Sequence, residues 1–323
     1  MNTEITDNNA KHLKDWIHFE GTCSSRSLSA RFFNNLNCFN WLPLLLLSVA
    51  VVTLQSRMAP WVFMWTISAG IFIGCKWLTW RKALVNGVRP GTIRSVTYFF
   101  GWPGMEAATF LRGNPETREP SKTQWLFAAA KTSTGVTLVL FAARDPFDWP
   151  PLLTGWLGML GIILFLHFGL FDLIALAWQS AGVNARPVMR SPILATSLAE
   201  FWGARWNTAF NVLAHDLAFR PLVRKFGVAR ATLGVFLISG IVHDLVISLP
   251  ARAGFGLPTG YFLVQGIAVL AERSVLGCSL GLGKGFRGWL FTMVCTGAPA
   301  FWLFHPTFVT NVILPMLHAI GGN

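Results

Sequence analysis

The chain has 323 residues, of which 53% are hydrophobic and only 12% charged, and its mean hydropathy is +0.50. A soluble domain carries about 25% charged residues, so this composition excludes an ordinary soluble protein and favours a helical protein that crosses a membrane several times. The net charge of +12 does not indicate a nucleic-acid partner, because the cations lie in loops between apolar runs rather than in a basic stripe with surface aromatics.

The first part of the chain is polar. Residues 1–40 mix charges of both signs with Asn and Ser, and the first long apolar run begins at Trp41. This pattern is not that of a cleavable signal, so we predict a cytosolic tail over 1–40 and a membrane domain over 41–323. The five cysteines show no CxxC spacing, and neither a disulfide framework nor a metal site is expected. They are Cys23, Cys38, Cys75, Cys278 and Cys295.

Apolar runs that approach the ~20 residues needed to cross a bilayer recur from Trp41 onward. The runs cover 41–54, 58–80, 123–143, 151–178, 230–250, 258–279, 286–304 and 306–321. They predict an all-α polytopic fold with about eight transmembrane helices. Only His305 and Pro306 separate the last two runs, which predicts either a tight hairpin or one broken helix.

Lysine and arginine alternate between rich and poor loops. The tail and the loops 81–122 and 179–230 are rich, whereas the loops between them hold Arg57, Arg144 and Arg252 as single cations. The positive-inside rule therefore places both termini and both long loops on the cytosolic side. The expected membrane is the bacterial inner membrane in a prokaryote or the endoplasmic reticulum in a eukaryote.

The segment EFWGARWNTAFN, which begins at Glu200, places charged and amide side chains among large aromatics. On a continuous helix Glu200, Asn207 and Asn211 lie along one face, and Trp202 and Trp206 lie along another. We interpret the segment as half of an active site. The alternative is an amphipathic helix at the membrane interface with its tryptophans at headgroup depth.

The second half is the sequence SGIVHDLV, in the apolar run between Arg230 and Arg252. At ~1.5 Å per residue, His243 lies roughly 20 Å from the cytosolic end of a hydrocarbon core that is about 30 Å thick. A histidine beside Asp244 at this depth should face the protein interior or a water-filled cavity. Imidazole is the usual base for activating a hydroxyl. A buried histidine bonded to a neighbouring carbonyl is the alternative.

Other polar residues in apolar runs are interpreted as structural. His167 and Asp172 are five residues apart and are not expected to face each other. Lys131 is expected to extend its amine toward the interface, and Glu272 to form an internal pair with Arg273.

Several motifs together resemble one family. FWGARWN at 201–207, FRPLVRKFG at 219–227 and SGIVHDLVISLP at 239–250 resemble the membrane-bound O-acyltransferase superfamily, and within it the wax synthase-like branch. FFGWPGMEAATFL at 99–111 and FWLFHP near the end of the chain are similar to segments of that branch. The resemblance covers about residues 95–310.

The resemblance implies both a site and an architecture. It assigns the family's catalytic histidine to His243 and its asparagine to Asn207, with Asp244 where many relatives have Glu. It implies helices around an internal tunnel, with interfacial or re-entrant helices on the cytosolic side. Family members move a fatty acyl group from coenzyme A to a hydroxyl without a metal. Ala204 stands where arginine is common, which leaves the acceptor alcohol open.

We therefore predict an acyl-CoA-dependent O-acyltransferase that acts on a long-chain alcohol, with acyl-CoA as co-substrate and without a resident cofactor. His243 would be the general base, and Asn207 an oxyanion-type donor or a clamp on the imidazole. The expected substrate contacts are Glu200, Trp202, Trp206, Asp244, Arg220 and Arg224.

The two arginines of that set lie in the second basic loop and would meet the phosphates of coenzyme A, unless they only set the topology. One alternative function is acylation of a sterol, a diacylglycerol or another lipid hydroxyl. Another is transport of a lipid or a small solute, in which Asn207 and His243 would bind the cargo. Membrane lipids are further expected partners, and the oligomeric state is left open.

Overall fold

The computed structural model describes residues 40–112 and 119–322. Within these residues all regular secondary structure is helical, and no strand is present. The predicted tail lies outside the described residues except for Asn40, and Cys23 and Cys38 lie outside them as well.

The helices are labelled here in chain order. They are α1 (Leu42–Thr53), α2 (Pro60–Val85), α3 (Thr92–Phe100), α4 (Ala107–Arg112), α5 (Lys122–Arg144), α6 (Pro151–Ser180), α7 (198–205), α8 (Thr208–Ala251), α9 (Leu257–Glu272), α10 (Val275–Leu280), α11 (Gly285–Leu303) and α12 (Pro306–Gly321). Wider π-helical turns interrupt four of them, at Ile163–Leu170, Phe201–Arg205, His215–Phe219, Asp244–Ser248 and Val309–Ile313.

Among the described helices, α2, α5, α6 and α8 are long and apolar enough to cross a membrane. The pair α11 and α12 is bent by 59° and supplies a fifth crossing if it is one broken span. A bend is expected at Pro306, which lacks a backbone N–H, and the angle fits either one broken span or a re-entrant pair. With 12 and 16 residues, α1 and α9 are shorter than a typical span. The polytopic helical fold is confirmed, but the number eight is not.

Small residues let α5, α6 and α12 approach closely. A Cβ added at Gly135 of α5 would lie 2.6 Å from Cα of Phe165 in α6. A Cβ added at Gly158 of α6 would lie 2.5 Å from Leu317 of α12. Close backbone contact through glycine is typical of helix packing in membranes. These helices form one side of the described bundle.

The segment that contains GWPG is fastened to α2 by a buried lysine. The side chain of Lys76 is fully buried, and its amine donates hydrogen bonds to the carbonyl oxygens of Tyr98 at 2.8 Å and Gly104 at 2.5 Å. Next to this contact, Met105 packs with Ala209 at the start of α8. The loop after α3 therefore supports the region in which α7 meets α8.

The long helix α8 is broken at Gly227, whose φ of 78° and ψ of 171° are not helical. The break lies close to the predicted start of a span at residue 230. Further along, α8 crosses α9 so closely that a Cβ added at Gly240 would lie 2.6 Å from Cα of Thr259. This crossing places the part of α8 that carries His243 against the first half of α9.

Candidate active site

The chain bends sharply at the centre of the FWGARWN motif. Helix α7 ends at Arg205, Trp206 is extended with φ −91° and ψ 124°, and Asn207 adopts the left-handed conformation with φ 44° and ψ 57°. Asparagine visits this conformation more readily than most residues, and α8 begins directly after it. The prediction of one continuous helix, with Glu200, Asn207 and Asn211 on a shared face, is therefore wrong.

Asn207 and Asn211 contribute differently to this bend. The side-chain amide of Asn211 donates a hydrogen bond to the carbonyl oxygen of Gly203 and so ties α8 back to α7. The backbone N–H of Asn207 points to the sulfur of Met189 at 3.2 Å. The carboxamide of Asn207, although at the first position before α8, makes no capping hydrogen bond to that helix. Asn211 thus supports the bend that presents Asn207.

Trp202 faces α9 and α8. Its indole N–H donates to the side-chain oxygen of Gln265 at 3.3 Å. Its ring centroid lies 5.6 Å from that of Phe262 in α9 and 5.9 Å from that of Phe236 in α8. The side chain expected to bind substrate is therefore also a link between three helices.

Trp206 points in another direction. Its ring stacks on Phe201 with 5.6 Å between centroids and 10° between planes, and it meets Phe168 of α6 at 6.2 Å. The predicted common face of Trp202 and Trp206 is therefore not formed, because the extended backbone at Trp206 separates the two side chains.

The carboxylate of Glu200 is engaged by its own loop. It accepts hydrogen bonds from the N–H of Thr196 at 2.8 Å and from Nε of Arg205 at 2.7 Å. Burial acts to raise the pKa of Glu200, but the Thr196 hydrogen bond and the Arg205 guanidinium outweigh it and lower the pKa below its usual range. Arg205 also donates to the carbonyl oxygens of Arg190 and Ser191. The geometry therefore gives Glu200 contacts that stabilise the start of α7.

His243 is half-buried near the end of α8. Its Nδ1 lies 2.7 Å from the carbonyl oxygen of Ser239. A carbonyl oxygen only accepts, so Nδ1 carries the hydrogen and Nε2 keeps its lone pair. The imidazole also packs on the ring of Phe262 with 4.3 Å between centroids. An imidazole held in this tautomer can accept a proton at Nε2.

Asp244, near the end of α8, is bonded to the connection between α8 and α9. Its carboxylate accepts hydrogen bonds from the hydroxyl of Ser248 at 2.8 Å, from the N–H of Gly256 at 2.9 Å and from both the N–H and the hydroxyl of Thr259. These bonds fasten the turn that leads into α9. The expected contact of Asp244 with substrate would have to coexist with them.

The histidine of FWLFHP reaches the same turn. His305 is 1% exposed, and its Nδ1 lies 2.7 Å from the hydroxyl of Thr307. Its ring packs on Gly254, where an added Cβ would overlap Nε2. Two motifs that are far apart in the sequence therefore meet at the connection between α8 and α9. They are His243-Asp244, called HD here, and Phe304-His305-Pro306, called FHP.

The two arginines expected to meet coenzyme A have different surroundings. Arg220 lies 3.7 Å from the carboxylate of Asp216, which also pairs with Lys82 of α2. Arg224 is exposed, as is its neighbour Lys225. Arg224 is therefore the more accessible of the two for an anionic ligand.

Of the remaining polar residues of the apolar runs, Lys131, Asp172 and Glu272 have partners across helix interfaces. The buried Nδ1 of His167 has no hydrogen-bond partner among the described residues. Lys131 of α5 forms an ion pair with Asp172 of α6. Glu272, at the end of α9, accepts hydrogen bonds from the backbone N–H groups of Leu198 at 2.5 Å and Ala199 at 3.5 Å. Within the described residues, no group of three or more His, Cys, Asp or Glu side chains is arranged to hold a metal ion.

The two predicted halves of the site meet through a residue that the sequence did not single out. Phe262 contacts Trp202 from the first half and His243 from the second. Gln265 and Glu272 likewise join α9 to α7. The available signal was a glutamine and a glutamate seven residues apart in an otherwise apolar run, which places them on one helix face.

Comparison with known proteins finds a family match over the segment that carries both motifs. Residues 185–264 match the model of the "Membrane bound O-acyl transferase family". This range includes Asn207, His243 and Phe262, and thus both halves of the candidate site.

Three curated relatives illustrate the similarity. The chain is 27% identical over 189 residues to "Probable long-chain-alcohol O-fatty-acyltransferase 7" of Arabidopsis thaliana, which covers 54% of this chain and 55% of the relative. It is 30% identical over 174 residues to "Long-chain-alcohol O-fatty-acyltransferase" of Simmondsia chinensis, with coverages of 47% and 48%. It is 29% identical over 158 residues to "Acyl-CoA--sterol O-acyltransferase 1" of Arabidopsis thaliana, with coverages of 42% and 44%.

The aligned regions therefore span about half the length of the curated relatives. The family match falls on the segment that carries FWGARWN and the HD pair. These comparisons confirm the resemblance of the chain to the membrane-bound O-acyltransferase superfamily and, within it, to the wax synthase-like branch.

Proposed function

We propose that this protein is an integral-membrane O-acyltransferase that moves a fatty acyl group from acyl-CoA to the hydroxyl of a lipophilic alcohol. The observation that carries the proposal is the family match over 185–264, a range in which His243 keeps Nε2 available as a base. Two of the relatives described above have names that state a long-chain alcohol as acceptor. A long-chain alcohol is therefore our first choice of acceptor.

The proposed reaction uses the reactivity that a thioester already has. Nε2 of His243 takes the proton of the alcohol while the alcohol oxygen attacks the thioester carbonyl carbon. The carbon–sulfur bond then breaks, and the imidazolium returns the proton to the departing thiolate of coenzyme A. General-base catalysis of this kind contributes ~10²–10⁴-fold to the rate. The reaction requires acyl-CoA as co-substrate and neither a metal nor a resident cofactor.

Asn207 would act on the carbonyl oxygen. Its side-chain amide would donate a hydrogen bond to the negative charge that develops there, a contribution that is typically worth ~10²–10³-fold. Its position at the bend between α7 and α8 supports this role, because the side-chain amide makes no capping hydrogen bond to α8 there. The amide is thereby left for a ligand or for the imidazole.

The membrane arrangement is part of the proposal. In it both termini and both long basic loops face the cytosol and eight spans surround a tunnel. Four of those spans are α1, α9, α11 and α12, with α11 and α12 counted separately. The alternation of loop charge supports this orientation. An interfacial helix on the cytosolic side is supported by α3, on which Ile93, Val96 and Phe100 are 81%, 51% and 79% exposed. These three positions lie along one helix face.

The arrangement also assigns entry routes to both substrates. The alcohol would enter from the lipid, and coenzyme A, which is bulky and anionic, from the cytosol. The exposure of Arg224 and Lys225 in the second basic loop supports a contact with its phosphates.

The test is a transferase assay with membranes that contain the protein, labelled acyl-CoA and a panel of acceptors that includes long-chain alcohols, a sterol and a diacylglycerol. Wild-type protein should form a labelled ester, and His243→Ala should lose at least ~10²-fold of this activity. His318→Ala is a suitable control, because His318 is an exposed residue of α12. Full activity of His243→Ala in folded protein would contradict the proposal.

The same panel separates the second candidate function. One of the relatives is named as an acyl-CoA–sterol O-acyltransferase, which favours a sterol as the alternative acceptor. Labelled sterol ester in the absence of alcohol esters would support that alternative. Uptake of labelled lipid into vesicles without any ester would instead support a transporter.

A further inference from the structure

One face of α9 contacts both halves of the proposed site. Phe262, Gln265, Val269 and Glu272 follow one another at spacings of three, four and three residues, which places them along one side of a helix. All four side chains are buried, and Gln265 is 0% exposed. A buried amide or carboxylate is costly unless it is hydrogen-bonded, so the partners of these side chains show which contacts the face provides.

The polar residues of this face contact α7. Glu272 accepts hydrogen bonds from backbone N–H groups at the first turn of α7. Gln265 accepts one from the indole N–H of Trp202 at 3.3 Å. The amide nitrogen of Gln265 donates to the carbonyl oxygen of Cys295 in α11 at 2.7 Å. Both ends of the Gln265 amide are therefore engaged, and its oxygen is directed toward Trp202.

The aromatic residue of this face contacts α8. The ring of Phe262 lies between Trp202, at 5.6 Å, and the imidazole of His243, at 4.3 Å between centroids. The imidazole thus contacts the ring of Phe262 and, through Nδ1, the carbonyl oxygen of Ser239. Together these contacts fix both the position of the ring and the direction of Nε2.

We infer that Phe262 and Gln265 are positioning residues for acyl transfer. Gln265 fixes Trp202, and Trp202 packs on Phe262. Phe262 in turn holds the imidazole of His243 in the orientation in which Nε2 can take the proton of the alcohol. This inference rests on the proposed function. A misplacement of about 1 Å at a reacting group lowers a rate by as much as ~10²-fold, so a loosened imidazole should affect turnover more than substrate binding.

The test compares Phe262→Leu with Phe236→Leu in purified protein. Phe236 is a matched control, because it also packs on Trp202 but from α8. We expect Phe262→Leu to lower kcat roughly tenfold or more, with the KM for acyl-CoA nearly unchanged. Phe236→Leu should keep most of its kcat. The inflection in the pH profile of kcat/KM that reports the base should move in Phe262→Leu and stay in place in Phe236→Leu.

A second variant covers the possibility that Phe262→Leu does not fold. Gln265→Met keeps a side chain of similar length and removes both hydrogen bonds, and it should also lower kcat with little change in KM. Unchanged kcat in folded Phe262→Leu or Gln265→Met would overturn the inference, as would equal effects of Phe262→Leu and Phe236→Leu. If His243→Ala is fully active in the same assay, the proposed function fails instead.

Discussion

Nδ1 of His243 lies 2.7 Å from the carbonyl oxygen of Ser239, one helical turn earlier in α8. The acidic neighbour Asp244 accepts its hydrogen bonds from Ser248, Gly256 and Thr259 instead. The tautomer of the proposed base is therefore set by the backbone of its own helix, unlike in a Ser-His-Asp triad, where a carboxylate sets it. The adjacent carboxylate fastens the turn after the helix.

The first prediction separates the chemistry of Asn207 from its backbone conformation. Its φ of 44° suits glycine, so Asn207→Gly removes the carboxamide without backbone strain. Asn207→Ala removes it and adds about 1–2 kcal/mol of strain. If the amide stabilises the oxyanion, both variants should lose ~10²-fold in kcat. Steady-state transferase kinetics in folded protein provide the measurement.

The result for Asn207 is best compared with that for Asn211. Asn211→Ala removes the hydrogen bond to the Gly203 carbonyl, so it should lower the thermal stability and reduce kcat much less than either Asn207 variant. Activity close to wild type in Asn207→Gly would show that only the bend matters there. A larger loss of kcat in Asn211→Ala than in Asn207→Gly would contradict the assigned register.

Hydrophobicity predicted the membrane-protein class and the positions of the long helices, because it is a property of local composition. The bend at Asn207 was not predicted. Whether a residue adopts the left-handed conformation depends on contacts such as that of Asn211 with Gly203. A continuous helical pattern therefore concealed the bend, and with it the separation of Trp202 from Trp206.

The motifs singled out His243 but not Phe262, which contacts it. The contact of Phe262 with His243 depends on how α8 crosses α9 at Gly240, and such a crossing cannot be predicted from the pattern of one chain. By contrast, the polar positions 265 and 272 in an apolar run are a visible signal, since buried polar groups in a membrane need partners. The sequence does not indicate which partners these two residues have, because the partners lie on other helices.

The second prediction concerns the turn that joins HD to FHP. Gly254 and Gly256 both have positive φ, 71° and 86°, so alanine strains the backbone at either position. At Gly254 the added Cβ also overlaps the ring of His305, whereas at Gly256 no atom lies within 4 Å. Gly254→Ala should therefore lower the melting temperature more than Gly256→Ala in detergent-solubilised protein. Equal shifts would show that the contact with His305 contributes nothing to stability.

Asp244→Asn tests the same turn from the other side. The carboxylate accepts hydrogen bonds at both oxygens. Asparagine has an amide nitrogen in place of one oxygen, and this nitrogen cannot accept the hydrogen bonds made at that position. The free energy of unfolding should fall by about 1–3 kcal/mol, the usual effect of leaving buried groups unpaired. The folded fraction should retain transferase activity if Asp244 only fastens the turn, and a loss of kcat in folded protein would indicate a direct part in the reaction.

The third prediction is a pH dependence at the start of α7. The folded protein lowers the pKa of Glu200 through Thr196 and Arg205, against the opposing effect of burial. A group with a lowered folded pKa stabilises the protein above its unfolded pKa of about 4.3 and loses this contribution as the pH falls through the folded value. The melting temperature of wild type should thus exceed that of Glu200→Gln at pH 6, and the difference should shrink toward pH 3. A difference that is constant over this range would contradict the role of the charge.

The last prediction is topological. Arg112 and Arg190 lie in the two basic loops. Arg144 is the last residue of α5, on the opposite side according to the alternation of charge. In a cysteine-free background, a membrane-impermeant maleimide should label Arg112→Cys and Arg190→Cys only when the cytosolic face is accessible. Arg144→Cys should be labelled from the outside of sealed right-side-out vesicles, and it serves as the control for the reagent. Labelling of either basic loop from the outside would reverse the proposed orientation, and with it the entry of acyl-CoA from the cytosol. Labelling of all three positions from one side would mean that α5 does not cross the membrane.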